Sequence, residues 1–98
     1  MYAYYTYRDK VRFQFDPAKA ASNLKKHGVF FADAEGVFHD PLAIHRPDPD
    51  SVDEERFVAV GMGSAGTILV VVYALRGGEI RLISARRATK KEVKSYEA

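Results

Sequence analysis

Residues 56–86 read RFVAVGMGSAGTILVVVYALRGGEIRLISAR, and the fold turns on this stretch. Three β-rich runs, 56–62, 67–75 and 79–86, are separated by Gly63-Ser64-Ala65-Gly66 and Arg76-Gly77-Gly78. Short glycine-bearing connections close hairpins, so the stretch predicts an antiparallel three-stranded meander. Its middle run, Ile68-Leu69-Val70-Val71-Val72-Tyr73, is apolar at both parities, as suits a central strand covered on each face.

Helical signals flank the meander. Phe13 and Phe15 alternate in a short strand at 12–15, and Asp16-Pro17 then opens a helix, the Asp accepting from free amides and the Pro losing nothing at the first position. The helix runs to His27, where Gly28 suits the left-handed residue that ends it, and Lys25, Lys26 and His27 complement the negative end of its dipole. Phe31, Ala34, Val37 and Phe38 repeat as the buried stripe of a second helix over 31–38, which Asp40-Pro41 stops. The acidic, proline-bearing segment to Glu54 reads as a surface loop with a brief strand at 42–45. Thr89-Lys90-Lys91-Glu92 has the form of a capping box and predicts a last helix ending near Tyr96. The tyrosines at 2, 4, 5 and 7 leave an edge strand and a flexible extension both open. The expectation is an α+β fold: a small antiparallel sheet, made of the C-terminal meander plus the short N-terminal strand, with two N-terminal helices and a C-terminal helix. At 98 residues this is one domain over 1–98, with 1–12 as an N-terminal extension.

Composition narrows the function. Hydrophobic residues at 47% and charged residues at 29% give an ordinary globular balance rather than that of a disordered chain. The absence of cysteine removes disulfides and thiolate zinc sites and fits a reducing compartment. The longest apolar run, 68–75, falls far short of the roughly 20 residues that span a bilayer, and no secretion signal opens the chain, so the cytoplasm is expected and a membrane is not. Charge falls in blocks: six basic against two acidic residues over 1–28, one against eight over 29–55, and eight against three over 56–98. Basic ends folded together would suit a polyanion, and alternating blocks equally suit solvated loops and helix faces.

No phosphate-cradling glycine loop occurs, since Gly61, Gly63 and Gly66 lack the Lys-Ser or Lys-Thr that would follow. His39, Asp40 and His45 lack a defined metal spacing and a third convincing ligand, so neither metal nor cofactor is expected. Bases and cations remain: Lys26, His27, Glu55, Arg56, Arg81, Arg86 and Arg87. Metal-free RNA cleavage needs a proton acceptor for the 2′-hydroxyl, a stabiliser of the charged phosphorane and a donor for the leaving oxygen. Histidine or glutamate suits proton transfer, and arginine's planar fork suits phosphate. Each has a duller reading: His27 as a helix-end cation, Glu55 as a solvated loop charge, Arg81 as the exposed face of a strand. Arg81 and Arg86 have opposite parity and share a face only if a bulge or the strand's end intervenes. Residue patterns alone reach a basic α+β domain suited to a polyanion.

A family resemblance goes further. Phe15-Asp16-Pro17-Ala18-Lys19, Asn23-Leu24-Lys25-Lys26-His27-Gly28-Val29, Phe31, Ala34 and Val37-Phe38-His39-Asp40-Pro41 resemble the opening of BrnT-type toxins. Glu55-Arg56-Phe57, Gly61 and Ile83-Ser84-Ala85-Arg86-Arg87-Ala88, with Glu92 and Tyr96, are similar to their second half. Departures are the tyrosine-rich start and Phe15 where a tryptophan is common. The resemblance implies a RelE-like fold, RNA cleavage that inhibits translation, neutralisation by a BrnA-type antitoxin, and DNA contact only through that antitoxin. A homodimer and a heterotetramer with the antitoxin are both compatible with it. It implies catalytic roles for His27, Glu55, Arg56, Arg81 and Arg86, with Glu55 or His27 moving protons and the arginines on phosphate, and RNA binding by Lys26, Arg87 and Tyr96. The rival expectation is a non-catalytic protein-binding module within an antitoxin-containing, DNA-bound repressor complex.

Overall fold

The structure, a computed structural model, describes residues 3–6 and 11–98. In chain order the elements are β1 (Ala3–Thr6), β2 (Arg12–Phe15), α1 (Pro17–His27), α2 (Phe31–Ala34) running into a 3-10 turn (Glu35–His39), β3 (Ile44–Pro47), β4 (Arg56–Met62), β5 (Ile68–Arg76), β6 (Glu79–Arg87) and α3 (Lys90–Glu97). β1 resolves the tyrosine-rich start in favour of an edge strand; Tyr2 and Tyr7 lie outside the described residues.

The α+β class holds, with the meander at the heart of a six-stranded sheet of order β1-β2-β6-β5-β4-β3. The sheet is mixed rather than antiparallel throughout, because β2 runs parallel to β6, pairing Phe13 with Ile80 and Gln14 with Arg81. Parallel neighbours need a long connection, and here α1 and most of the remaining chain intervene. β3 lies two residues later than the expected 42–45. Asp40 causes this: its Oδ1 accepts from Leu42 N at 2.9 Å and its carbonyl from Ala43 N at 3.1 Å, so the chain turns before it extends.

The caps form as their chemistry dictates. Asp16 Oδ1 accepts from Ala18 N at 2.9 Å, and Gly28, at φ 69°, ends α1 with its N–H on Leu24 O. The second helix is shorter than the stripe suggests and tightens to 3-10 geometry after Ala34. Its Asp33 carbonyl, which a continuing α-helix would offer to residue 37, is engaged by Ser64 N at 2.9 Å. The approach is so close that a Cβ on Gly36 would sit 2.4 Å from that same nitrogen.

Phe31, Ala34 and Val37 pack onto one sheet face against Phe13, Ala59, Leu69, Val71, Leu82 and Ala85. Burying a side chain of the Val, Leu or Phe class contributes about 1.5–3 kcal/mol, so this face holds α2 in place. Helix α1 is fastened differently. Past Leu82 the outer edge of β6 has no partner from β2, and its peptide groups need one. Buried Asn23 supplies it, donating to Ala85 O at 2.8 Å and Val29 O at 3.0 Å and accepting from Ala85 N at 3.0 Å. Among the described residues no helix is long and apolar enough to cross a membrane.

Candidate active site

Cross-strand partners share a face, so the register sorts every strand residue. With Leu69, Val71 and Tyr73 on the helix-covered face, Val70, Val72 and Ala74 of β5 point to the other. On β6 the pairing jumps from Val72 with Ser84 to Tyr73 with Leu82, leaving Ile83 as an extra residue. This bulge resolves the parity conflict: Arg81, opposite Ala74, and Arg86, opposite Val70, emerge on one face with Ser84 between them. Arg56, Val58 and Val60 of β4 join them, as does Arg46 of β3 opposite Val58.

The result is a groove of about 570 Å³, within the roughly 300–1,000 Å³ range of ligand clefts. Val58, Val70 and Val72 line its apolar part, with Arg46 contributed by β3 and Ser84 and Arg86 by β6. The loop residues Pro47–Asp50 and Glu92 of α3 also border it. Arg46 is exposed, with no hydrogen-bond or ion-pair partner among the described residues.

Glu92 receives Arg86 bidentately, Nη1 to Oε1 and Nη2 to Oε2, both at 2.9 Å. That bond, together with the Thr89 amide and against some burial, holds the Glu92 carboxyl at about 2 and raises the already high pKa of Arg86. Arg81 has a side chain only 12% exposed and donates to Glu54 Oε1 at 2.9 Å, while Arg76 takes the other oxygen at 3.0 Å. Tyr96 borders the adjoining hollow with Ile44, Val60 and Lys91, and its hydroxyl donates to Asp40 Oδ2 at 2.5 Å. Burial opposes ionisation of Asp40, yet donors from Met62 N, Tyr96 and Leu42 N outweigh it and hold the carboxyl below its usual value. The hydrogen bond to Asp40 in turn raises the pKa of the Tyr96 hydroxyl.

Of the residues singled out in the sequence, Arg56, Arg81 and Arg86 therefore share the open face. Lys26 and His27 lie at the C-terminal end of α1 and line a second hollow with Asn23, Ile83 and Ser84. Ser84 borders both hollows, so they adjoin across the free edge of β6. Glu55 is exposed immediately before β4, and its neighbour Glu54 makes the ion pairs. Arg87, opposite Leu69, belongs to the other face and lines a hollow with Gly28, Asp33 and Thr67. Sequence reasoning missed Arg46, Glu54 and Asn23 as site-forming residues. Arg46 carried a signal, being the one basic residue in an acidic block, but the expected strand stopped one residue short of it.

Comparison with known proteins places the chain in a family. The family model described as "Ribonuclease toxin, BrnT, of type II toxin-antitoxin system" matches residues 15–92. The crystal structure of the Brucella abortus ribonuclease toxin BrnT is 29% identical and superposes with a TM-score of 0.59, over 78% of this chain and 94% of that one. No curated protein matches the chain. A family model spanning the chain from β2 into α3, and a structural relative sharing its α+β fold, lead to one assignment: this chain belongs to the BrnT family of ribonuclease toxins of type II toxin-antitoxin systems.

Proposed function

We propose that this chain is a metal-independent endoribonuclease that cuts RNA lying along the valine-lined groove, thereby inhibits translation, and is neutralised by a BrnA-type antitoxin. One observation carries the reading: the bulge at Ile83 gathers Arg81, Ser84 and Arg86 on the face that also bears Arg56 and Arg46. Arginines gathered on one face suit charge stabilisation of a phosphorane.

In this reading Arg86, Arg56 and Arg46 bind phosphate oxygens, and Arg81, held by Glu54, keeps the lower part of the face cationic. The 2′-oxygen bonds to phosphorus as the bond to the 5′-oxygen breaks. One proton leaves the 2′-hydroxyl and another reaches the departing oxygen. His27 and Glu55 are the groups assigned to these transfers, His27 being better placed because its hollow adjoins the groove at Ser84. Lys26 beside it positions the RNA backbone, and Tyr96 borders the far side.

Purified protein should degrade RNA in excess EDTA, and Arg46→Ala and Arg86→Ala should each slow this by about 10-fold or more, the loss of one charge-assisted phosphate contact. Growth arrest by the wild-type chain with cellular RNA left intact would defeat the ribonuclease reading, and a chain harmless when expressed alone would favour the non-catalytic binding module. Co-expression of a BrnA-type antitoxin should restore growth.

A further inference from the structure

Arg86 has five N–H donors in a rigid fork. Two are taken by Glu92, one from Nη1 and one from Nη2, and the second of Nη1 donates to the Arg87 carbonyl at 3.2 Å. The donors left are Nε–H and the outer N–H of Nη2. These lie parallel along one side of the fork, the arrangement that pairs with two phosphate oxygens. Glu92 therefore holds the guanidinium by its end and does not occupy the edge a phosphate needs.

Glu92 is itself held. Its Oε1 also accepts from Thr89 N at 2.8 Å, and Thr89 Oγ1 accepts from Glu92 N at 3.2 Å, so one carboxylate both caps α3 and grips the arginine. One turn later the Tyr96 hydroxyl fastens the same helix to Asp40. Without such a grip a long arginine side chain samples many rotamers, and a catalytic cation must be in place before charge develops. We propose, resting on the reading of the groove given above, that Glu92 is a positioning residue that presents the Nε/Nη2 edge of Arg86 to the scissile phosphate.

Glu92→Gln tests this cleanly because glutamine serves equally in a capping box. The helix start survives, whereas an amide N–H₂ now faces the guanidinium in place of one acceptor oxygen. The variant should melt within a few degrees of wild type and lose about 10–100-fold in kcat, with KM changing far less. In an Arg86→Ala background the same substitution should change kcat by less than about twofold, since a residue acting through another has no effect once that other is gone. Wild-type kcat in Glu92→Gln, or an equal loss in both backgrounds, overturns the proposal. A 2′-O-methyl RNA oligonucleotide, which lacks the attacking hydroxyl, separates this outcome from the function itself. If wild-type protein binds it yet cuts no RNA, the catalytic reading fails. Glu92→Gln must then still weaken binding, and only when Arg86 is present, or positioning is refuted as well. Absence of both binding and cleavage refutes both.

Discussion

Asn23→Ala is the most informative single perturbation of the scaffold. The side chain is 6% exposed and makes three hydrogen bonds: one donated to and one accepted from Ala85 join α1 to the unpaired edge of β6, and one donated to Val29 O holds the chain after the helix. A net bond contributes about 1 kcal/mol, and the peptide groups of Ala85 and the Val29 carbonyl would be left without these partners, so the expected loss is about 3–4 kcal/mol. Against a typical domain stability of about 5–15 kcal/mol, the protein stays folded in buffer but unfolds much more easily. Urea titration followed by far-UV circular dichroism should show a midpoint lowered by about 2–3 M with an unchanged slope. Asn23→Asp keeps the shape and the acceptor for Ala85 N but sets an oxygen against two carbonyls, so at neutral pH it should cost at least as much. A loss below about 1 kcal/mol for both would refute the argument that this amide replaces a missing strand partner.

Neighbouring glutamates should behave unequally. Glu54→Gln weakens the pairs with Arg81 and Arg76 and should cost about 1–2 kcal/mol, whereas exposed Glu55→Gln should leave the melting temperature nearly unchanged while slowing cleavage if it moves a proton; equal melting losses would refute this division of roles. Acid should release the Arg86 grip. The Glu92 carboxyl sits at about 2 instead of 4.5, so its contribution is fully present above about pH 4.5 and is lost as pH falls through 2. Linkage alone would give about 3 kcal/mol, and solvent screening at the half-exposed Arg86 reduces this to about 1 kcal/mol. The stability gap between wild type and Glu92→Gln should therefore close between pH 4.5 and 2, and a gap constant over that window would refute the assignment.

Reading the chain in one dimension went far where the physics is local. The Asp16-Pro17 start and Gly28 stop of α1, the Thr89/Glu92 box of α3 and the glycine-bearing connections of the meander appear where their residues require them. The groove was only partly legible. Arg56, Arg81 and Arg86 could be named, but their common face hung on one extra residue, and no local pattern marks Ile83 as that residue. Glu55 drew attention through its place beside Arg56, yet Glu54 is the one that meets Arg81 across 27 positions of chain.

Element type, caps and turns were thus already written in the order of residues, since each depends on neighbours within a few positions. The likeness to BrnT toxins was visible there too, because a family signature is itself a pattern along the chain. Which side chains meet was decided in three dimensions: the parallel docking of β2, the bulge on β6, Arg46 arriving from the far edge and Asn23 closing an open one. Sheet register joins residues dozens of positions apart, and a slip of one residue moves a side chain to the opposite face. A candidate site assembled from four strands and a helix therefore takes shape only when the sheet pairs.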